Sequence, residues 1–326
     1  MNKAQICREY LTKYPDHSQR TIVDIIMKEH PSLFGSYEGA RWHVRACRKG
    51  NNLKKRMTTV KHKPLAKPPP ALPPLPESKV KAWEPFDLEQ KRILVLSDVH
   101  VPYHDKTALV TALEYGDKWQ PDCILLLGDI IDFYSISRFD TNPEERDLAG
   151  EICGLREFLA HLGARFPKAR LVYKLGNHDE RWWTYLWRKA PELVGLNFTR
   201  FSQVVEAEKH GVELVDEQRL IRIGRLWALH GHEWRMGANS PVNPARTAFL
   251  KGLECSISGH LHKTSEHSET SLNDSLITTW SLGCLCELHP AYARLNKWNH
   301  GFCTVEQDDK SGFSVANLRI RHGRVL

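Results

Sequence analysis

Ile93-Leu94-Val95-Leu96-Ser97-Asp98-Val99-His100 is the stretch whose reading decides the fold. A short apolar run of this kind reads as a strand buried on both faces, and it breaks off at a Ser, an Asp and a His. The pattern returns along the chain. Cys123-Ile124-Leu125-Leu126-Leu127 leads into Gly128-Asp129-Ile130-Ile131-Asp132. Ala169 to Leu175 leads into Gly176-Asn177-His178-Asp179, and Leu226-Trp227-Ala228-Leu229 into His230-Gly231-His232. A fifth cluster, Gly259-His260-Leu261-His262, lacks a long apolar run before it. Strands that end in polar ligands place them at the carboxyl edge of an α/β sheet, where such sheets bind and react. Carboxylates, imidazoles and one amide oxygen suit borderline divalent ions such as Mn, Fe, Zn or Ni.

Taken in this order, D-x-H, G-D-x-x-D, G-N-H-D, H and G-H-x-H resemble the calcineurin-like metallophosphoesterase superfamily over roughly residues 91 to 307. G-D-x-x-D alone is a common strand-to-turn ending; five clusters in sequence are specific. The resemblance implies a four-layer α/β/β/α sandwich of two mixed sheets. It also implies two divalent metal ions, Mn²⁺ foremost with Fe, Zn or Ni as alternatives. Asp98, His100, Asp129 and His262 then hold one ion, and Asp129, Asn177, His230 and His260 the other. A hydroxide bridging the two attacks phosphorus. His178 is the leaving-group acid by the same analogy, with Asp132 orienting its ring. His230 and His232 compete for one ligand position, and the residue directly after the strand is favoured. His104 and His267 are expected behind the ligands or on the surface.

Departures from sub-branches narrow the substrate. The protein Ser/Thr phosphatases of this superfamily continue G-D-x-x-D with Arg-Gly and use G-N-H-E. Here Phe133-Tyr134 follows and Asp179 is the fourth residue, so the Arg that grips a phosphomonoester is missing from its usual place. Asp132 stands where purple acid phosphatases need a Tyr. The remainder is most similar to the phosphodiesterase and repair-nuclease side. The stretch from Leu288 to Phe302 also resembles phage-borne and prophage-borne members.

The flanking chain adds a second part. At 326 residues there is room for more than one domain. The net charge is +7, yet residues 1–63 hold 14 Lys/Arg and 5 Asp/Glu, a balance of +9, which leaves the rest slightly acidic. A basic segment of this kind points to a polyanion. It reads as three short helices: Lys3 to Thr12, a second capped by Ser18 and running to Glu29, and a third from Tyr37 to Lys49, capped by Ser36 and ended by Gly50. On the third, Ala40, Val44 and Cys47 form an apolar line, and Arg41, Arg45 and Arg48 a cationic one beside it. That is the layout of a recognition helix meeting phosphates. A protein-binding helical module is the alternative.

Residues 57–85 carry Pro64, Pro68, Pro69, Pro70, Pro73, Pro74 and Pro76, a semi-rigid spacer or a ligand for a proline-binding domain. The expected organisation is a basic helical module over 1–56, a linker over 57–85 and a catalytic domain over 86–326. In the catalytic part, helices are expected over Lys106–Trp119 and Asp147–Leu162, the latter broken by Gly163. Val212–Val215 and Leu220–Ile223 read as a strand pair, and Glu180–Trp187 as a helix whose aromatics are favoured as core over a base-stacking platform. Met236 to Asn243 is expected as a loop at the rim of the site, and Asp308 to Gly312 as a hairpin turn.

No apolar run reaches the ~18 residues of a membrane span. The N-terminus shows no signal-like apolar region, and the eight cysteines form no C-x-x-C pair. A cytoplasmic protein is the expectation, with Cys284 and Cys286 as core residues on one strand. The oligomeric state is left open. The favoured function is phosphodiester hydrolysis on a nucleic acid or nucleotide. The rivals are a small-molecule phosphatase or cyclic-nucleotide phosphodiesterase with a protein-binding module, and a DNA-binding or assembly protein with a vestigial metal site.

Overall fold

Side chains along a strand alternate between faces, so a strand apolar throughout needs cover on both sides. The computed structural model describes residues 2–57, 74–80, 82–215, 219–235, 242–308 and 312–326 and shows that cover. The chain forms two compact units, Met1–Val80 and Lys81–Leu326.

In the first unit, α1 (Lys3–Lys13), α2 (Gln19–Glu29) and α3 (Tyr37–Met57) enclose a small core. Ile22, Val23, Ile26, Phe34, Ala40 and Val44 are fully buried in it. Ser18 and Ser36 cap α2 and α3 through the backbone N–H groups of Thr21 and Gly39. Helix α3 does not stop at Gly50 but runs on to Met57. An interior glycine costs a helix only about 1 kcal/mol, and the helix-favouring Leu53, Lys54, Lys55, Arg56 and Met57 follow. Most of the expected linker, residues 58–73, lies outside the described residues, as do residues 236–241 of the rim loop and 309–311 of the last turn.

The second unit runs β1 (Phe86–Asp87), β2 (Arg92–Leu96), α4 (Lys106–Trp119), β3 (Cys123–Leu127), α5 (Leu148–Arg165), β4 (Arg170–Lys174), α6 (Arg181–Lys189), α7 (Phe201–Val204), β5 (Val212–Val215), β6 (Ile221–Ile223), β7 (Leu226–Leu229), α8 (Pro244–Gly252), β8 (Ser256–Ser258), β9 (Ser265–Thr270), β10 (Leu276–Ser281), β11 (Gly301–Gln307), β12 (Phe313–Arg321) and β13 (Arg324–Val325). One mixed sheet has the order β13-β12-β11-β2-β3-β4-β5, the other β1-β6-β7-β8-β10-β9. Strands β2 to β5 are parallel neighbours, and β7 lies parallel to β8. Val95, Leu125, Leu127 and Val172 face Ile221, Leu226, Ala228 and Ile257 of the second sheet. Leu94, Leu96, Ile124, Leu126 and Leu171 face the opposite way, with the apolar sides of α4 and α5. Helix α8 packs on β8, β9 and β10 and closes the fourth layer. Among the described residues no helix is long and apolar enough to cross a membrane.

Two expectations change. β5 and β6 do not pair: β5 joins β4, while β6 turns through Gly224 (φ +58°) into an antiparallel pair with β7. A two-residue turn makes that local pairing the cheaper one to close. Gly163 does not break α5, which is capped by Asp147 and ends at Phe166 before Pro167.

Candidate metal centre

Strands β2, β3 and β4 of one sheet and β7 and β8 of the other end at the same edge. The clusters that follow them meet there. Asp98, His100, Asp129, His260 and His262 all sit at φ between 52° and 67°. Asp and His tolerate this left-handed region better than most residues, yet each such turn costs of order 1 kcal/mol. The strain turns each side chain inward directly after its strand. The glycines permit the approach: at Gly128 (φ +84°) a Cβ would lie 2.4 Å from His230 Nδ1, and at Gly259 2.0 Å from Ser97 Oγ.

The ligand atoms of Asp98, His100 and Asp129 lie within 4.8 Å of one another, and so do those of Asp129, His230 and His260. Asp129 belongs to both groups. His262 Nε2 is 3.0 Å from Asp98 Oδ1, and His230 Nε2 is 3.1 Å from Asp129 Oδ2. Asp98, Asp129, His100, His230 and His262 are all buried. His230 Nδ1 faces the Leu127 carbonyl at 2.8 Å, and a carbonyl only accepts, so Nδ1 carries the proton. His230 Nε2 therefore aims its lone pair inward. His100 Nδ1 meets Asp132 Oδ2 at 2.9 Å, which likewise leaves Nε2 facing the site.

His100 Nε2, His230 Nε2 and Asn177 Oδ1 are buried without a hydrogen-bond partner. Buried acceptors converging in this way fit divalent cations, and the donor set of N and O atoms suits a borderline metal. Electrostatics agree. Burial opposes the charge on Asp98 and Asp129, but the facing histidines outweigh it and hold both carboxyls well below the usual range. Burial likewise opposes a charge on His230, yet Asp129 and Asp98 push its ring up to about 10. Burial, with the His230 charge adding to it, pushes His260 down to about 4.

Asp132 sits between two rings, since His100 and His178 meet edge to face with centroids 4.4 Å apart. Its carboxylate is nearer His100, and its Oδ2 is 3.5 Å from His178 Nδ1. The expected contact of this carboxylate with His178 is the longer of its two, and the Asp132 backbone carbonyl also holds that ring, accepting from Nδ1 at 2.9 Å. The same oxygen, Oδ2, reaches both rings, and the more buried ring, His100, has the shorter contact. His232 turns away from the ligands to Glu180 Oε1 at 3.1 Å. His104 bridges to Cys286, and His267 packs on Phe249. Cys284 and Cys286 are not on one strand; each makes an isolated bridge, and Cys286 Sγ lies 3.7 Å from His262 Nδ1.

Four groups of the site escaped the sequence reading. Asp179 is fully buried and accepts from Asp129 N at 2.8 Å, Gly176 N at 2.6 Å and the Tyr173 hydroxyl at 2.5 Å. Burial, and then the Asp129 charge, push it up to about 6. Arg181 donates to the Asp132 carbonyl at 2.9 Å and to His178 Nε2 at 3.0 Å. Lys174, fully buried, lies 3.3 Å from Glu233 Oε1, and Glu233 Oε2 accepts from Gly231 N at 2.7 Å. Arg181 was readable three residues after His178, one helical turn away, and Lys174 as a charge at the end of a buried strand.

In the first unit Arg41 and Arg45 are exposed on α3, beside Trp42, which is 66% exposed. Arg41 pairs with Glu38, and Arg48 is half-buried and donates to the His17 carbonyl.

Comparison with known proteins places this geometry. The calcineurin-like phosphoesterase family model matches residues 91–263. The chain is 28% identical to the Gene 54 protein of Mycobacterium phage L5 over 233 residues, 67% of this chain and 89% of the relative. It is 31% identical to the Gene 54 protein of Mycobacterium phage D29 over 182 residues, 53% of this chain and 69% of the relative. Among solved structures, Vacuolar Protein Sorting 29 from Cryptosporidium parvum aligns at a TM-score of 0.39 and 14% identity, covering 73% of this chain and 95% of that one. Yfce, a phosphoesterase from E. coli, aligns at a TM-score of 0.32 and 13% identity, covering 71% and 100%. The match over more than half the chain, a span that includes all five strand-end clusters, makes this protein a member of the calcineurin-like phosphoesterase family, a metal-dependent phosphoesterase.

Proposed function

We propose that the protein hydrolyses phosphodiesters of a nucleic acid or nucleotide with two divalent ions. The observation that carries this reading is Asp129, whose carboxylate belongs to both ligand groups. Asp98, His100, Asp129 and His262 would hold one ion, and Asp129, Asn177, His230 and His260 the other, with Mn²⁺ as the favoured metal. The ions would neutralise charge on the ester and supply a strong nucleophile at neutral pH.

The chain's own groups do the rest. Asp179 fixes the Asp129 backbone and Asp132 the His100 ring. His178 stands at the rim to protonate the leaving oxygen, and its Nε2 accepts from Arg181 at 3.0 Å. A substrate phosphoryl oxygen would draw that guanidinium nitrogen aside, and the freed Nε2, after taking a proton from solvent, would carry the proton that passes to the leaving oxygen. Arg181 thus offers, from α6, the phosphate grip that is missing after Asp132. It is anchored on the Asp132 and Phe133 carbonyls, so it reaches the substrate from a set direction.

In this reading the basic first unit delivers the enzyme to nucleic acid through Arg41 and Arg45, with Trp42 available for stacking. Arg48, tied to His17, plays a smaller part. The small-molecule phosphatase remains the second reading, favoured by the slightly acidic balance beyond residue 63.

The test is turnover of the purified protein with Mn²⁺ on bis-p-nitrophenyl phosphate, p-nitrophenyl phosphate, DNA and RNA, with metal content measured in parallel. Diester turnover that disappears in Asp129→Asn together with bound metal is the expected result. Near-normal turnover in that variant, or a monoester hydrolysed far faster than any diester, would overturn the reading.

A further inference from the structure

A cleft of about 260 Å³ opens beside Asn177, between α6 and the segment Ile136–Phe139. Arg181, Arg188 and Lys189 enter it from α6 and Arg138 from the facing segment. Positions 181, 184, 185 and 188 share one face of a helix, so the cationic wall extends about 10 Å from the rim of the metal centre. Glu180 is the one carboxylate in the lining, and it is engaged by His232 at 3.1 Å. Among the described residues no carboxylate pairs with Arg138, Arg188 or Lys189.

Arg188 and Lys189 complement the C-terminal dipole of α6, which would explain those two alone. Arg138 lies on another segment and gains nothing from that dipole. It lies over the Phe139 ring at 4.9 Å, and its convergence with Arg188 and Lys189 still concentrates positive charge that an anion would relieve. Two exposed rings share the cleft, Phe139 at 64% and Tyr185 at 38% exposure. Cations beside solvent-facing rings are the composition that holds unpaired nucleotides, whose bases stack while the backbone follows the charge. A duplex hides its base faces and has no use for the rings.

We propose that this cleft is a subsite for single-stranded nucleic acid, holding nucleotides that flank the scissile phosphate. Arg138, Arg188 and Lys189 take a neighbouring phosphate, and Phe139 and Tyr185 take a base. The inference rests on the phosphodiesterase reading and makes the enzyme one that prefers strands to single nucleotides.

The experiment uses the full chain carrying Arg41→Ala, Arg45→Ala and Arg48→Ala as parent, so that the first unit does not mask the result. Labelled oligothymidylates of increasing length are assayed for cleavage with Mn²⁺, and for binding by anisotropy in EDTA at several salt concentrations. For the parent, kcat/KM should rise with length over the first few nucleotides. Adding Arg138→Ala, Arg188→Ala and Lys189→Ala should raise KM on the longer strands about tenfold or more. The log–log salt slope should become shallower by roughly 0.7 for each phosphate no longer neutralised. Turnover of bis-p-nitrophenyl phosphate should stay within about twofold, which also reports an intact fold. Phe139→Ala with Tyr185→Ala should raise KM on strands and leave the salt slope unchanged.

Unchanged strand KM in the cationic variant, or equal losses on strands and on the small diester, would overturn the subsite. A normal strand KM in the ring variant would mean that the cleft takes a polyanion without bases, which also overturns it. If the parent cleaves no diester at all, the phosphodiesterase reading fails. The anisotropy series in EDTA still decides the cleft: binding that falls in the cationic variant upholds it, and equal binding refutes it.

Discussion

Asp179 offers the sharpest test of how this site is held. It accepts three buried donors at close range, Asp129 N, Gly176 N and the Tyr173 hydroxyl, at 2.8, 2.6 and 2.5 Å, with Ile131 N farther off at 3.4 Å. Asp179→Ala would strand all three. At about 1–3 kcal/mol for each unsatisfied buried donor, the loss should be roughly 3–9 kcal/mol. Against the about 5–15 kcal/mol that stabilises a typical domain, that is a large part of the total. Asp179→Asn retains one acceptor oxygen for the two backbone donors, and the Tyr173 hydroxyl can rotate to accept from the new amide. Its cost should be only about 1–2 kcal/mol.

The pH dependence separates charge from hydrogen bonding. A carboxyl raised on folding contributes stability that is fully present below its unfolded value of about 3.9. That contribution is lost as pH rises through the folded value of about 6. The Asp179→Asn chain does not titrate there, so its stability relative to the parent should improve across that window. The assay is urea unfolding of parent and variants in EDTA from acid to neutral pH, with bound metal measured on separate samples. A cost below 1 kcal/mol for Asp179→Ala, with metal content unchanged, would refute the account of Asp179 as the group that fixes the Asp129 backbone.

Three further outcomes follow from the same geometry. His178→Ala should leave metal binding largely intact and slow esters with poor leaving groups by about 10²–10⁴ more than p-nitrophenyl esters, measured as kcat; equal losses on both would remove His178 as the acid. Gly128→Ala places a Cβ 2.4 Å from His230 Nδ1 at a backbone φ of +84°, so it should displace that ring and lower metal content even where the chain still folds; a fully metallated variant would contradict the close approach. Arg41→Ala with Arg45→Ala should weaken DNA or RNA binding and flatten its log–log salt slope by roughly 0.7–0.9 for each phosphate no longer neutralised, while Arg48→Ala does less; identical binding curves at several salt concentrations would move the first unit to the protein-binding alternative.

By itself the sequence determined what local chemistry can determine. Apolar runs broken by Asp, Asn and His announced buried strands with polar ends, and their order pointed to the family. Helix α4 and the strands β2, β3 and β7 fall where their runs and caps put them, because capping and alternation act over a few residues. The apolar line Ala40, Val44, Cys47 packs inward for the same reason. Pairings between distant segments were decided only in the tertiary structure. Nothing near β5 says which sheet it will join, since its partner β4 lies dozens of residues away; β6 lies two residues from its partner β7. Asp132 lies closer to His100 than to His178 because two rings compete for one carboxylate, a contest invisible in G-D-x-x-D. Asp179 looked like a variation on a motif until folding set three donors around it. Arg138 and Arg188 stand fifty positions apart in sequence, and only the packing of α6 against the preceding loop makes them one wall. A chain's pattern specifies which groups are buried and on which face; the fold alone sets which buried groups must share a partner.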